Sequence, residues 1–83
     1  MITSEQIRAA RALLRMDQRH LAELSGLSLP TIQRLEAGAG LLRCHMATLT
    51  KLTVALTAAG VSFLPPGDEP GAGRGVRFRQ GRE

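Results

Sequence analysis

Apolar residues recur three and four positions apart through the first sixty residues, the period of helices with one buried face. Ile7, Ala10 and Leu14 share one side of a first helix, with Leu13 beside them. Thr3 and Gln6 form a T-x-x-Q capping box, so this helix is expected from residue 4 to about residue 15. Arg8 and Arg15 fall on its solvent side, while Arg11 shares the side of Ile7 and Leu14. A second helix follows the cap Asp17, with Gln18 and Arg19 in its opening turn and Leu21, Ala22 and Leu24 as its apolar face. Gly26, which tolerates a left-handed backbone, ends it. Ser28 caps a third helix, Pro30 lies in its first turn, Ile32 and Leu35 point inward, and Gly38 closes it. A fourth helix over residues 45–59 carries Leu49, Leu52, Leu56 and Ala59 at helical spacing, flanked by Met46 and Ala55, and stops at Gly60.

The period then changes. VSFL, from Val61, is a short strand candidate, and GVRFR alternates Val76 and Phe78 with Arg77 and Arg79. Between them, PPGDEPGAGRG holds three Pro and four Gly in eleven residues and suits neither helix nor central strand. The two strands are expected to pair as an antiparallel ribbon. A lone two-stranded ribbon is marginal in water, so it requires either a covering helix or a second copy of itself. The chain thus divides into a helical region, 1–60, and a tail, 61–83.

Residues 17–38, DQRHLAELSGLSLPTIQRLEAG, have the order helix, Gly-containing turn, helix. This is the helix-turn-helix unit, whose second helix enters the DNA major groove. The stretch resembles the Cro-like (XRE, phage-repressor) family through Gln18, Leu21, Ala22, Gly26, Ser28, Thr31, Ile32, Arg34, Glu36 and Gly38, and the likeness extends over residues 3–60. The tail also resembles the ending of a subgroup of small bacterial regulators of this type. The resemblance implies an all-α, four-to-five-helix Cro/repressor-like domain, here with a short C-terminal two-stranded β-ribbon. It implies an ion pair between Arg11 and Glu36 that staples the first helix to the third. It also implies that Gln18 bonds a phosphate and a recognition-helix side chain, and that Arg43, in the loop after that helix, meets a phosphate.

The outward positions of the third helix are Ser28, Leu29, Pro30, Thr31, Gln33 and Arg34. Arg34 suits guanine and Gln33 suits adenine, since each side chain can bridge two groups on one base edge. Ser28 and Thr31 suit phosphate or base contact, or serve only as cap and surface residues. Leu29 and Pro30 can touch a thymine methyl but form no directional hydrogen bond. Either shape readout carries more of the specificity, or Pro30 simply rigidifies the helix start. Arg19 and Lys51 are further phosphate candidates, with solvated charge as the plain alternative.

Composition narrows the classes. The 83 residues suffice for one small core, built without Trp or Tyr and with only two Phe, which favours packed helices over a sandwich. The formal charge is +4, and ten of the eleven cations are Arg, the residue suited to phosphate and guanine. Cys44 is the only cysteine, so no internal disulfide forms. With His20 and His45 it matches no zinc spacing, and no metal or other cofactor is expected. No nucleophile elbow, metalloprotease motif or phosphate-cradling loop is present, so an enzyme is not expected. No apolar run approaches the roughly 18 residues of a membrane span, and the N-terminus lacks a signal-peptide pattern; a cytoplasmic location follows as the expectation.

The leading functional expectation is a DNA-binding transcriptional regulator, a repressor, acting on double-stranded DNA as a homodimer. No small-molecule ligand is suggested. Val61, Phe63, Val76 and Phe78 are the expected dimer contacts through ribbon pairing. Rival placements fold the ribbon over the fourth helix as a lid, or bring Arg74, Arg77, Arg79 and Arg82 to the DNA flanks. The alternative from another class is an antitoxin-like protein whose tail binds a toxin-like partner and orders on contact.

Overall fold

A computed structural model of the chain describes residues 2–67 and 73–79. Four helices precede one antiparallel ribbon: α1 Ser4–Leu13, α2 Gln18–Ser25, α3 Leu29–Ala37, α4 Met46–Ala59, β1 Val61–Leu64 and β2 Gly75–Phe78. The described fold is mostly helical. Arg82 lies outside the described residues, as do residues 68–72 of the Pro/Gly stretch.

The helix starts follow local chemistry. Thr3 Oγ1 accepts the Gln6 N–H at 3.1 Å while Gln6 Oε1 accepts the Thr3 N–H at 2.9 Å, closing the capping box. Asp17 accepts the His20 N–H at 2.8 Å, and Ser28 accepts the Thr31 N–H at 3.2 Å. Each cap satisfies a donor that lacks a partner within its helix. Gly26, at φ 74°, turns the chain from α2 toward α3.

The end of α1 differs from expectation. It stops at Leu13 because the Met16 N–H reaches back to Arg11 O at 2.9 Å and the Arg15 N–H to Ala12 O at 3.1 Å. This paired closure is a Schellman motif, which needs a left-handed residue where Arg15 stands, at φ 55°. Met16, just beyond it, is buried.

Ile7, Leu21, Ile32, Leu52, Leu56 and Val61 are the largest fully buried side chains, one or more from each helix and one from the ribbon. α3 packs on α1 and α2, and α4 packs on α2 and β1. Ile2 and Leu42, not anticipated as core, are buried where the N-terminus runs beside the loop after α3; the Leu42 N–H donates to Ile2 O at 3.0 Å and Thr3 bridges Leu41.

Two expected core positions point outward instead. Leu24 is 49% exposed and Met46 is 71% exposed. At 100° per residue, Leu21, Ala22 and Ser25 centre the buried face of α2, and Leu24 lies about 110° round from that centre. Met46 is likewise about 100° from the line of Leu49, Leu52, Leu56 and Ala59. The outer face of α4 also carries Val54, 62% exposed.

The ribbon has the anticipated strands in the register Val61↔Phe78, Ser62↔Arg77, Phe63↔Val76 and Leu64↔Gly75. Its placement is within its own chain, as the rival fold-back over the fourth helix has it for β1, although β2 rests on α1 instead. β2 lies against α1 and β1 against α4. Gln6 Nε2 donates to both Leu64 O, at 3.0 Å, and Gly75 O, at 2.9 Å, and so pins the two strands to the start of α1. Val61, expected at a dimer contact, is fully buried in the core of its own chain and is not available to a second copy. Phe63, Val76 and Phe78 are half-buried, with Phe63 and Val76 packed against that core. Arg77 and Arg79 are exposed, as the alternation predicts. Among the described residues, no helix is long and apolar enough to cross a membrane.

Arg15 is the only non-glycine residue at positive φ among those described. Arg15→Gly removes the contact between its Cβ and the following carbonyl and is expected to stabilise the fold by about 1 kcal/mol, read as a higher urea midpoint at unchanged m-value.

Candidate nucleic-acid interface

The expected site residues converge on α3 and the loop that follows it. Ser28, the N-cap of α3, and Pro30, Gln33 and Arg34 on the helix are exposed, while Ile32, Leu35 and Glu36 are buried. Thr31 is half-buried, and its hydroxyl shares a 2.8 Å hydrogen bond with Ser28 Oγ. Both hydroxyls are therefore engaged in the cap, although each oxygen keeps further hydrogen-bonding capacity. Leu29 departs from the outward position expected of it. It is half-buried and packs against the core. The outward face is thus more polar than the sequence pattern implies.

Arg34 and Arg43 line one cleft, together with Gly38 and Leu41. Both arginines are exposed. The cleft's floor is held in place from α1. Ser4 Oγ donates to Leu35 O at 2.7 Å, the Ser4 N–H donates to Gly40 O at 3.0 Å, and Glu5 Oε1 accepts the Gly40 N–H at 2.9 Å. Hydrogen bonds from its own backbone N–H, and then from that of Gly40, hold the Glu5 carboxyl below its ordinary 4.5.

Arg8, expected in solvent, instead turns toward α3. Its Nη1 donates to Glu36 O and, at 3.0 Å, to Gly38 O, supplying donors to carbonyls at a helix end that has no left-handed cap. Arg8, Ser4 and Glu5 were not anticipated as supports. Their only sequence signal is that they occupy the first turns of α1, and that signal does not say what lies opposite.

The anticipated ion pair between Arg11 and Glu36 is present. Arg11 Nη2 meets Glu36 Oε1 at 2.8 Å and Nε meets Oε2 at 2.9 Å, with the Arg11 side chain 23% and the Glu36 side chain 2% exposed. Hydrogen bonding to Glu36 raises the guanidinium's pKa further above its ordinary value, against the effect of desolvation. Gln18 Nε2 also donates to Glu36 Oε1, at 3.2 Å, so the amide expected at a phosphate is tied to α3 through its nitrogen. Arg19 is exposed beside it at the start of α2.

Lys51 does not join the cleft of Arg34 and Arg43; it lines a hollow between α2 and α4. Arg74, Arg77 and Arg79 are exposed on the ribbon side. His20 and His45 are exposed and Cys44 is a half-buried free thiol. Among the described residues no three His, Cys, Asp or Glu side chains gather where one metal ion would meet them.

No protein-family model matches the chain, and no curated protein matches it.

Two predictions follow from the supports of the cleft. Arg11→Ala leaves the Glu36 carboxylate buried with only Gln18 and is expected to cost about 3 kcal/mol, whereas Arg11→Met with Glu36→Leu is expected to cost far less; urea denaturation of the single and double variants checks both. Because folding lowers the pKa of Glu5, its contribution is present above 4.5 and is lost as pH falls through the lower folded value. Urea midpoints measured from about pH 6 to about pH 3 are expected to decline less steeply for Glu5→Gln than for the parent chain.

Proposed function

We propose that this chain is a sequence-specific DNA-binding regulator of the Cro-like helix-turn-helix type, a repressor acting on two-fold operators as a homodimer. The observation that carries the reading is the shared cleft of Arg34 and Arg43 at the edge of the outward polar face of α3. On this reading α2 is the positioning helix and α3 the recognition helix. Gln33 and Arg34 meet base edges, and Arg43, on the tethered loop, meets a backbone phosphate. Ser28 and Pro30, both exposed at the start of α3, add a hydroxyl and an apolar contact. With Leu29 turned toward the core, few side chains are left to read bases, so groove shape carries part of the specificity. The function is binding and not catalysis.

Support comes from the way the interior fixes this surface. A carboxylate buried at the end of α3 holds α1, α2 and α3 in one arrangement, which preserves the angle of the outward face. The half-buried Phe63 and Val76 leave their margin of the ribbon, and not Val61, as the place where two copies meet.

Selection of duplexes from a random-sequence library by the full chain tests the reading. Enrichment of a two-fold symmetric motif with half-sites about 34 Å apart is expected. Arg34→Ala is expected to weaken the selected site by about tenfold or more and to relax one position of the motif. Arg43→Ala is expected to weaken all sequences alike and to reduce the salt slope by about 0.9. Recovery of unenriched sequence overturns sequence-specific regulation.

A further inference from the structure

We propose that the outer trough between α2 and α4 is a second, separate binding surface, and that its occupant is an acidic amphipathic helix of a partner protein. The proposal does not rest on the DNA reading.

On α4, Lys51, Val54, Ala55 and Ala58 follow helical spacing along one wall of this trough. Leu24 of α2 forms the facing wall, and half of its surface is open. Two neighbouring hollows continue the trough. One shares Leu24 and Ala59 with it and reaches Leu14 and Phe78. The other shares Val54 and Ala58 and runs to Arg79. The outcome is a continuous strip walled mainly by small and aliphatic side chains. Its α4 wall spans about 10 Å, roughly two turns of helix. An amphipathic helix laid in such a groove anchors through apolar residues three and four positions apart.

The rim decides between occupants. Every described ionisable side chain that borders the strip is basic or imidazole: Arg15 and His20 in the first of the two neighbouring hollows, Lys51 along the α4 wall, and Arg79 in the second. All four are exposed, and no described carboxylate lines the strip. The acids nearest in sequence do not line it: the Asp17 carboxylate caps α2, and Glu23 is exposed on α2 outside the lining. A second copy docked symmetrically would bring one cationic rim against another, and like charges facing each other across an interface are costly. A helix with apolar anchors and flanking Asp or Glu meets both features at once. The small residues Ala55, Ala58 and Ala59 permit its close approach.

The test uses the full chain against a displayed library of amphipathic helices. Leu is fixed at the anchor positions, and the flanks are randomised among Glu, Lys, Gln and Ser. Val54→Glu serves as the counter-selection target, and Leu24→Glu as a second variant. Val54 is largely exposed and Leu24 half-exposed, and far-UV circular dichroism checks that each variant folds. Selected helices are expected to carry Glu-rich flanks. As labelled peptides they are expected to bind the parent chain about tenfold or more tightly than their Glu→Lys twins, and to lose about tenfold or more on Val54→Glu. Recovery of neutral or Lys-rich helices, no recovery, or binding unchanged in both variants overturns the proposal. Light scattering that shows a dimer abolished by Val54→Glu also overturns it and assigns the strip to a second copy. DNA affinity is expected to be unchanged in Val54→Glu, so failure here and failure of the DNA reading remain distinguishable.

Discussion

The Glu36 carboxylate is the constraint on which the helical arrangement depends. An isolated buried carboxylate is strongly disfavoured, so its burial is tolerable only while every surrounding donor is in place. Arg11 delivers two donors from α1 and Gln18 delivers one from α2. Arg11 also donates to Met16 O at 3.1 Å, so the same guanidinium holds the turn that leads from α1 into α2. Arg8 adds a bond to the Glu36 carbonyl. One residue at the end of α3 thereby fixes where α1 and α2 stand. Hydrophobic contacts among Ile7, Leu21 and Ile32 supply the non-directional attraction; the Glu36 network selects one arrangement among those that would bury the same area.

Gln6 plays the corresponding part for the tail. Its oxygen completes the cap of α1 and its nitrogen bridges the paired ends of β1 and β2. A two-stranded ribbon by itself is marginal. Here Val61 enters the core and Gln6 satisfies two strand carbonyls, so the ribbon is covered by its own helices. Of the two ways to cover the ribbon, a helix or a second copy, the fold uses helices. This bears on the antitoxin-like alternative, because the described strands are already paired within the chain.

Local chemistry was legible in the sequence at the helix starts, at Gly26 and in the strands, though not at the end of α1, where a left-handed Arg15 closes the helix early. The Thr3–Gln6 box, the Asp17 and Ser28 caps, the left-handed Gly26 and the two strands all stand where the residues place them. The Arg11–Glu36 pair, twenty-five positions apart, came from the family resemblance and not from spacing. Misreadings arose where an apolar residue was assumed to face inward. Leu24 and Met46 lie too far round their helices, and residue type does not encode that angle. Arg8 was misplaced for the converse reason: a charged residue facing solvent in one helix considered alone meets the open carbonyls of another in the fold. Leu29 packs against a core that several helices build together. The positions of Arg8 and Leu29 are tertiary facts with no local signature, whereas the offset of Met46 follows from its spacing to Leu49, Leu52, Leu56 and Ala59.

α2 carries one end of both proposed surfaces. Gln18, at its start, is bonded to the helix that presents Arg34, while Leu24, near its end, walls the apolar trough. An eight-residue helix is too short to bend appreciably between these points, and the Glu36 network ties it to α3. The trough's α2 wall and the outward face of α3 therefore belong to one rigid framework. Coupling between two sites requires an element with two arrangements that both ligands bias, and a framework fixed by a fully bonded buried carboxylate does not supply one. On the two proposals taken together, occupancy of the trough would leave DNA affinity intrinsically unchanged and hold the partner at a set position relative to the duplex. The chain would then act by recruitment at a DNA site, with any apparent cooperativity arising from the partner's own contacts with DNA and not from a change of shape in this protein.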